Sequence, residues 1–272
     1  MPATHSSSTP PAGAYVARAE GVYESSELTR GPWDPGHQHA GPPVALVARE
    51  IARAAAALEM THLARLTSNL LRPIPIALLR IEVGADYAGR NVAHFSARLF
   101  AGDRELARFT AVAQRETSVD LPAQLPGHPL PQAPQAPEAL ASVVFPHARG
   151  SVGYHDLVEL RVAQGALTRG PCAVWFRMRH PLVVGEPPSG IERVAVAADS
   201  GNGISAVLDF RRYTFLNSDL TINLLRAAQG EWVCIDARTM VGPGGGGIAE
   251  SRIFDAQGLI GRATQSLNIR TR

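Results

Sequence analysis

The sequence predicts an α+β chain in which one unit occurs twice, each copy a long helix packed on a curled antiparallel sheet. Three observations carry that expectation. A proline-rich stretch, Ser118 to Gly150, has few amide donors and many fixed φ angles, so it reads as an extended linker between halves of comparable size. Each half repeats one order, a helix opened by a Pro-Pro pair and then strand-like runs. Short anchors recur at a near-constant offset: Leu70 to Arg72 matches Leu224 to Arg226, 154 residues on, and Arg115 matches Arg270, 155 residues on.

The elements follow in order. Residues 1–14 are polar and read as a flexible tail. In the first unit, 15–117, "AGPPVALVAREIARAAAALE" is a helix with prolines in its opening turn and an apolar stripe of Leu46, Val47, Ile51 and Ala54; strands follow, ending in "RELARFTAVAQR". After the linker, 118–150, the second unit, 151–272, starts its helix in "GEPPSGIERVAVAADSGNG". Its strands run through "FLNSDLTINLLR", "GEWVCIDARTMVG", "GGIAESRIFDAQG" and "LIGRATQSLNIR". One helix covers a sheet face but leaves its edges open, and a second copy closes them.

Composition excludes several functions. The 272 residues carry a formal net charge of +2 with only 18% charged side chains and scattered arginines, which is no footprint for nucleic acid. No apolar run reaches the ~18 residues of a membrane span, and the N-terminus lacks a leader pattern, so no membrane partner is expected. Cys172 and Cys234 sit in apolar runs without metal-type spacing; they read as reduced core thiols, and a cytoplasmic location follows by default. His37 and His39 lack a third ligand at suitable spacing, so no metal is expected. "GPGGGGIAES" reads as a hairpin turn, and no Gly-x-Ser-x-Gly elbow supports a serine nucleophile at Ser251. Asp199, in "DSGNG", reads as a helix-capping residue. Trp33 and Tyr23 either line a ligand tunnel or pack under the first helix.

In "GPWDPGHQHAGPP", in "HPLVVGEPPSGIERVAVAADSGNGIS" and in the run from Phe215 to Arg270, the chain resembles the thioesterase-like superfamily, specifically the double-hotdog acyl-CoA thioesterases related to the bacterial type II enzyme. The resemblance implies a double-hotdog fold and hydrolysis of acyl-CoA or acyl-carrier thioesters without a cofactor. It implies that water is positioned by an aspartate, a threonine and a glutamine, roles that fall on Asp219, Thr239 and Gln265. It also implies a substrate and oxyanion site at the first helix start, His39, Ala40 and Gly41, where Gly41 would let substrate approach and Ala40 replaces a glycine usual in the family. The alternatives are a non-catalytic acyl-CoA binding or scaffold protein, and a hotdog hydratase or dehydratase, which would need a His-Asp pair that the sequence does not reveal. Exposed edges make a homo-oligomer plausible.

Periodicity bears on the same residues. Thr239 interrupts the apolar row Val233, Ile235, Ala237, Val241, and Gln265 interrupts Leu259, Ala263, Leu267, Ile269. A buried carboxamide without partners costs ~1–3 kcal/mol, so an inward Gln265 needs partners or a ligand. The first half has Arg65 in place of Asp219, Val83 or Gly84 in place of Thr239, and Phe109 or Thr110 in place of Gln265, which favours one site per chain. Asp219 lies on the row opposite Leu220 and Ile222, so convergence requires a bulge or bend near Asn217 and Ser218. Asn217, Thr221 and Asn223 read as ordinary sheet-face residues.

Overall fold

The computed structural model describes residues 11–123, 125–126, 128–145 and 151–272. Of the expected tail, residues 1–10 lie outside this set, while Gly13 and Ala14 pack against Pro181 and Val184. In the first half β1 (Tyr15–Ala19) and β2 (Val22–Ser25) precede α1 (Gly41–Ala56), followed by β3 (His62–Leu70), β4 (Leu78–Ala88), β5 (Val92–Ala101) and β6 (Arg104–Gln114). The second half holds β7 (Ser142–Val143), the single turn α2 (Tyr154–Leu157), β8 (Val158–Gly165), β9 (Cys172–Met178), α3 (Gly190–Ala198) and α4 (Gly201–Ile204). It ends with β10 (Tyr213–Asn217), β11 (Asp219–Leu224), β12 (Trp232–Val241), β13 (Gly246–Asp255) and β14 (Gly258–Thr271).

The strands form one antiparallel sheet in the order β1-β2-β4-β5-β6-β3-β11-β14-β13-β12-β9-β8-β7, with β10 beside β14. Outward from the β3–β11 seam the order is the same in both directions: β6 or β14, β5 or β13, β4 or β12, β2 or β9, β1 or β8. At the seam Thr221 stands opposite Thr67.

Pro42 and Pro43 open α1, which runs 16 residues and buries Val44, Leu46, Val47 and Ile51 in the main core. One long helix per unit is found only in the first half. The second helix stops after nine residues at Ala198 and restarts as α4, because Gly201 and Gly203 are weak helix formers and the backbone there bonds to a side chain from the sheet. Ser189 and Glu192 cap α3 reciprocally, so its start follows the Pro-Pro pair instead of containing it.

Within the proline-rich stretch Pro137–Ala139 form a single 3-10 turn, and part of the described chain there is packed. Ala133 and Leu140 lie on the face of the second-half sheet that carries Trp175 and Phe254, opposite the main core. Trp175 Nε1 donates to Gln135 O at 2.8 Å, Arg161 Nη1 to Pro137 O at 2.7 Å, and β7 extends the sheet beside β8. No helix among the described residues is long and apolar enough to cross a membrane.

Candidate active site

β10 and β11 are one strand interrupted at Ser218. Against β14, Asn217 faces Leu267 but Thr221 faces Thr264, so one extra residue is accommodated in between. This is the bulge that the alternation demands. The side chain it turns toward the helices is Asn217, whose Nδ2 donates to Asp199 Oδ1 at 2.9 Å. Asp219 instead accepts the backbone N–H of Ser266 at 2.6 Å, which pins the bulge to β14.

Gln265 is buried and fully engaged. Its Oε1 accepts Asn202 N–H at 3.0 Å, and its Nε2 donates to Asp199 O at 3.1 Å and, more weakly, to Asp199 Oδ1 at 3.4 Å. The carboxamide thus staples the α3–α4 break. Gly201 fits there because a Cβ would stand 2.7 Å from Ser251 Oγ and 3.3 Å from Gln265 Oε1. Thr239 shares a row with Gln265 through Ala249, and its hydroxyl bonds Ser205 Oγ at 2.8 Å. The corresponding row in the first half is Ala85, Phe95, Ala111. The counterparts of Thr239 and Gln265 are therefore Ala85 and Ala111, one residue beyond those aligned by sequence, and neither carries a polar group.

Asp199 is the hub of this arrangement. It is the C-cap of α3, as its sequence context suggests, yet its carboxylate serves other elements. His39 Nδ1 lies 3.0 Å from Asp199 Oδ2 and 3.1 Å from Gly41 N. With its proton on Nδ1, His39 donates to the Asp199 carboxylate and Nε2 is left as the acceptor; with its proton on Nε2, Nδ1 accepts the Gly41 N–H. The imidazole stacks on Tyr154, centroids 3.8 Å apart and planes 5° apart, and the Tyr154 hydroxyl donates to Val196 O at 2.7 Å and bonds Ser200 Oγ. Burial drives the Tyr154 phenol far above its ordinary range, so it stays neutral.

These groups border a cavity of about 540 Å³. His39, Ala40, Tyr154, Asp199, Asn202 and Asn217 are on its lining, together with the apolar Trp33, Phe145, Leu160, Phe176, Phe210 and Phe215 and the ionisable Arg30, Asp34, His37, Arg72 and His155. Asp219, Thr239, Gln265 and Gly41 are not among its lining residues. The missing side chain of Gly41 has another explanation: a Cβ would stand 2.7 Å from Val196 O, where α1 crosses α3. Of the two aromatics in doubt, Trp33 faces the cavity. Tyr23 is buried elsewhere, its phenol pushed up to about 12 by burial and by Glu50, which accepts its hydroxyl at 2.8 Å.

The symmetry-related place beside α3 is filled. Arg49, nearly inaccessible, sits among Glu50, Glu186 and Glu192, and the α3 capping box occupies the first amides. Among the described residues no group of three or more His, Cys, Asp or Glu is arranged for a metal.

The profile of the acyl-CoA thioesterase N-terminal domain matches residues 29–114, and that of the acyl-CoA thioesterase C-terminal domain matches residues 124–269. The chain belongs to the acyl-CoA thioesterase family. The sequence has no significant match among curated proteins. Among solved structures, a candidate thioesterase II from Thermobifida fusca is similar over 95% of this chain and 96% of its own, with a TM-score of 0.73 and 17% identity. A hot dog fold protein of unknown function from Alicyclobacillus acidocaldarius covers 96% and 97%, with a TM-score of 0.68 and 14% identity. An acyl-CoA thioesterase II from Mycobacterium marinum covers 95% and 96%, with a TM-score of 0.62 and 16% identity. At these identities the likeness establishes the hotdog fold.

Within this family member, sequence reasoning missed Asp199, Tyr154 and Asn217. Asp199 was visible as an acid beside glycines at a helix end, but its partners come from three distant segments. Nothing in the local pattern marks Tyr154. Asn217 was hidden by the bulge that it helps to form.

Proposed function

We propose that this chain hydrolyses acyl thioesters, with coenzyme A or an acyl-carrier protein as the thiol half. The observation that supports it is the His39–Asp199 pair on the lining of a cavity that also presents Trp33, Phe176, Phe210 and Phe215. His39 Nε2 takes a proton from water as the water oxygen bonds the thioester carbonyl carbon. When the tetrahedral species collapses, the C–S bond breaks and the leaving sulfur takes that proton from Nε2. The Ala40 amide, at the positive end of α1 and without a described partner, is the donor to the oxyanion.

Asp219, Thr239 and Gln265 then act behind the reacting groups. Gln265 holds Asp199, Asp219 fixes the bulge, and Thr239 holds the end of α4 through Ser205. Arg72, on the cavity lining, supplies positive charge for a polyanionic coenzyme.

Thiol release from a panel of short- to long-chain acyl-CoAs tests this reading. Wild type turns over, and His39→Ala and Asp199→Asn each lose roughly 10²–10⁴ in kcat. Unchanged turnover in both variants overturns the assignment, and tight acyl-CoA binding without thiol release supports the acyl-binding alternative. The same pair also favours a second reading, hydration of α,β-unsaturated acyl thioesters, which would consume an enoyl thioester without releasing thiol.

A further inference from the structure

We propose that Asn217 is a second catalytic residue: the attacking water is gripped by two acceptors, His39 Nε2 and Asn217 Oδ1, hung from the two oxygens of the Asp199 carboxylate. The inference rests on the hydrolytic reading above. Asn217 Nδ2 donates to Asp199 Oδ1 at 2.9 Å and points at Asp219 O at 3.4 Å. Both are acceptors, so the amide orientation is fixed, because the flipped form would set a carbonyl oxygen against a carboxylate. Oδ1 is therefore the end left over. It has no partner among the described residues, and Asn217 lines the cavity.

The geometry on the other carboxylate oxygen is the same in kind. With its proton on Nδ1, His39 donates that N–H to Oδ2 and is left with one acceptor, Nε2. Two acceptors held by one carboxylate match the two protons of one water molecule. Engaging both leaves an oxygen lone pair directed away from them, toward an incoming carbonyl carbon. His39 removes one proton as the C–O bond forms. Asn217 is neutral and takes none; it orients the water, and its hydrogen bond strengthens the acceptor set without adding a second negative charge beside Asp199. Of the other groups nearby, Gln265 is engaged at both ends and Asp219 by Ser266, while Asn202 gives its Nδ2 to Phe215 O and keeps a buried Oδ1 that, unlike Asn217, is not hung from the Asp199 carboxylate.

The test is a kinetic double-mutant cycle on the full chain with an acyl-CoA the wild type hydrolyses. Asn217→Ala is expected to lower kcat about 10²-fold or more with KM within about threefold. If both side chains hold one water, Asn217→Ala with His39→Ala is little slower than the slower single variant, whereas multiplying losses overturn the shared water. Asn217→Asp sets a second carboxylate against Asp199, so the acid limb of the kcat–pH profile moves to higher pH, a response that a purely structural asparagine would not give. An Asn217→Ala variant with wild-type kcat, or one changed only in KM, overturns the inference alone. Absence of thiol release by wild type removes the hydrolytic reading and this inference together.

Discussion

Thr67 and Thr221 are images of one another across the seam of the sheet, 154 residues apart, with their hydroxyl oxygens 3.2 Å apart. The offset equals that of Leu70–Arg72 and Leu224–Arg226, so the internal two-fold axis passes between these threonines. Neighbouring pairs obey the same rule: Asn69 faces Asp219, and Arg65 faces Asn223. The two copies are therefore joined through the same strand from each.

The threonine pair marks the axis but contributes little stability. Thr221→Val is expected to cost under ~1 kcal/mol by urea unfolding. Gly261→Ala, one strand away, is expected to cost ~1–3 kcal/mol, because a Cβ would stand 2.2 Å from Asn223 O, a backbone atom that cannot yield cheaply. Equal costs for the two variants would contradict this account of the seam.

Gln265→Ala removes the staple at the helix break. It leaves Asn202 N–H and Asp199 C=O buried without their partner, at a cost of roughly 1–3 kcal/mol. Because Asp199 loses an anchor as well, kcat should fall more than KM rises. A variant that loses stability while keeping full kcat would show that Asp199 does not depend on the staple.

Asp255 should carry part of the acid sensitivity. Burial pushes its carboxyl up, but Arg226 at 2.5 and 2.7 Å and the amides of Gln229 and Gln257 outweigh it, so its pKa lies below the ordinary range. A depressed folded-state value stabilises the fold above the unfolded pKa of about 4 and is lost as pH falls through the folded value. Asp255→Asn should therefore destabilise by ~3 kcal/mol at pH 7, with the gap to wild type shrinking below about pH 4. A gap independent of pH would assign the loss to packing instead of charge.

The two thiols should be inert in the native chain. Burial pushes Cys172 up to about 11 and Cys234 higher still, so almost no thiolate exists at pH 8. A thiol reagent should react slowly before denaturation and with two equivalents after it. Rapid titration of either cysteine in the native state would contradict the burial described.

The second-half strands were legible because their periodicity persists over several residues: Val233, Ile235 and Ala237 face one core, and Gln265 stands visibly among Ala263, Leu267 and Ile269. The need for a bulge at Asn217 and Ser218 could be read from the same alternation. What the bulge does could not, because one extra residue exchanges which side chain turns inward, and sequence spacing does not say which.

By itself the sequence determined the repeat, its offset to within a residue or two, the helix start at Gly41 and the inward place of Gln265, all set by local pattern and chain geometry; the strand register fixed the offset at 154. Tertiary structure decided the site. The partners of Asp199 come from position 39, position 217 and position 265, and a carboxylate selects partners by distance and burial, which no spacing along the chain encodes.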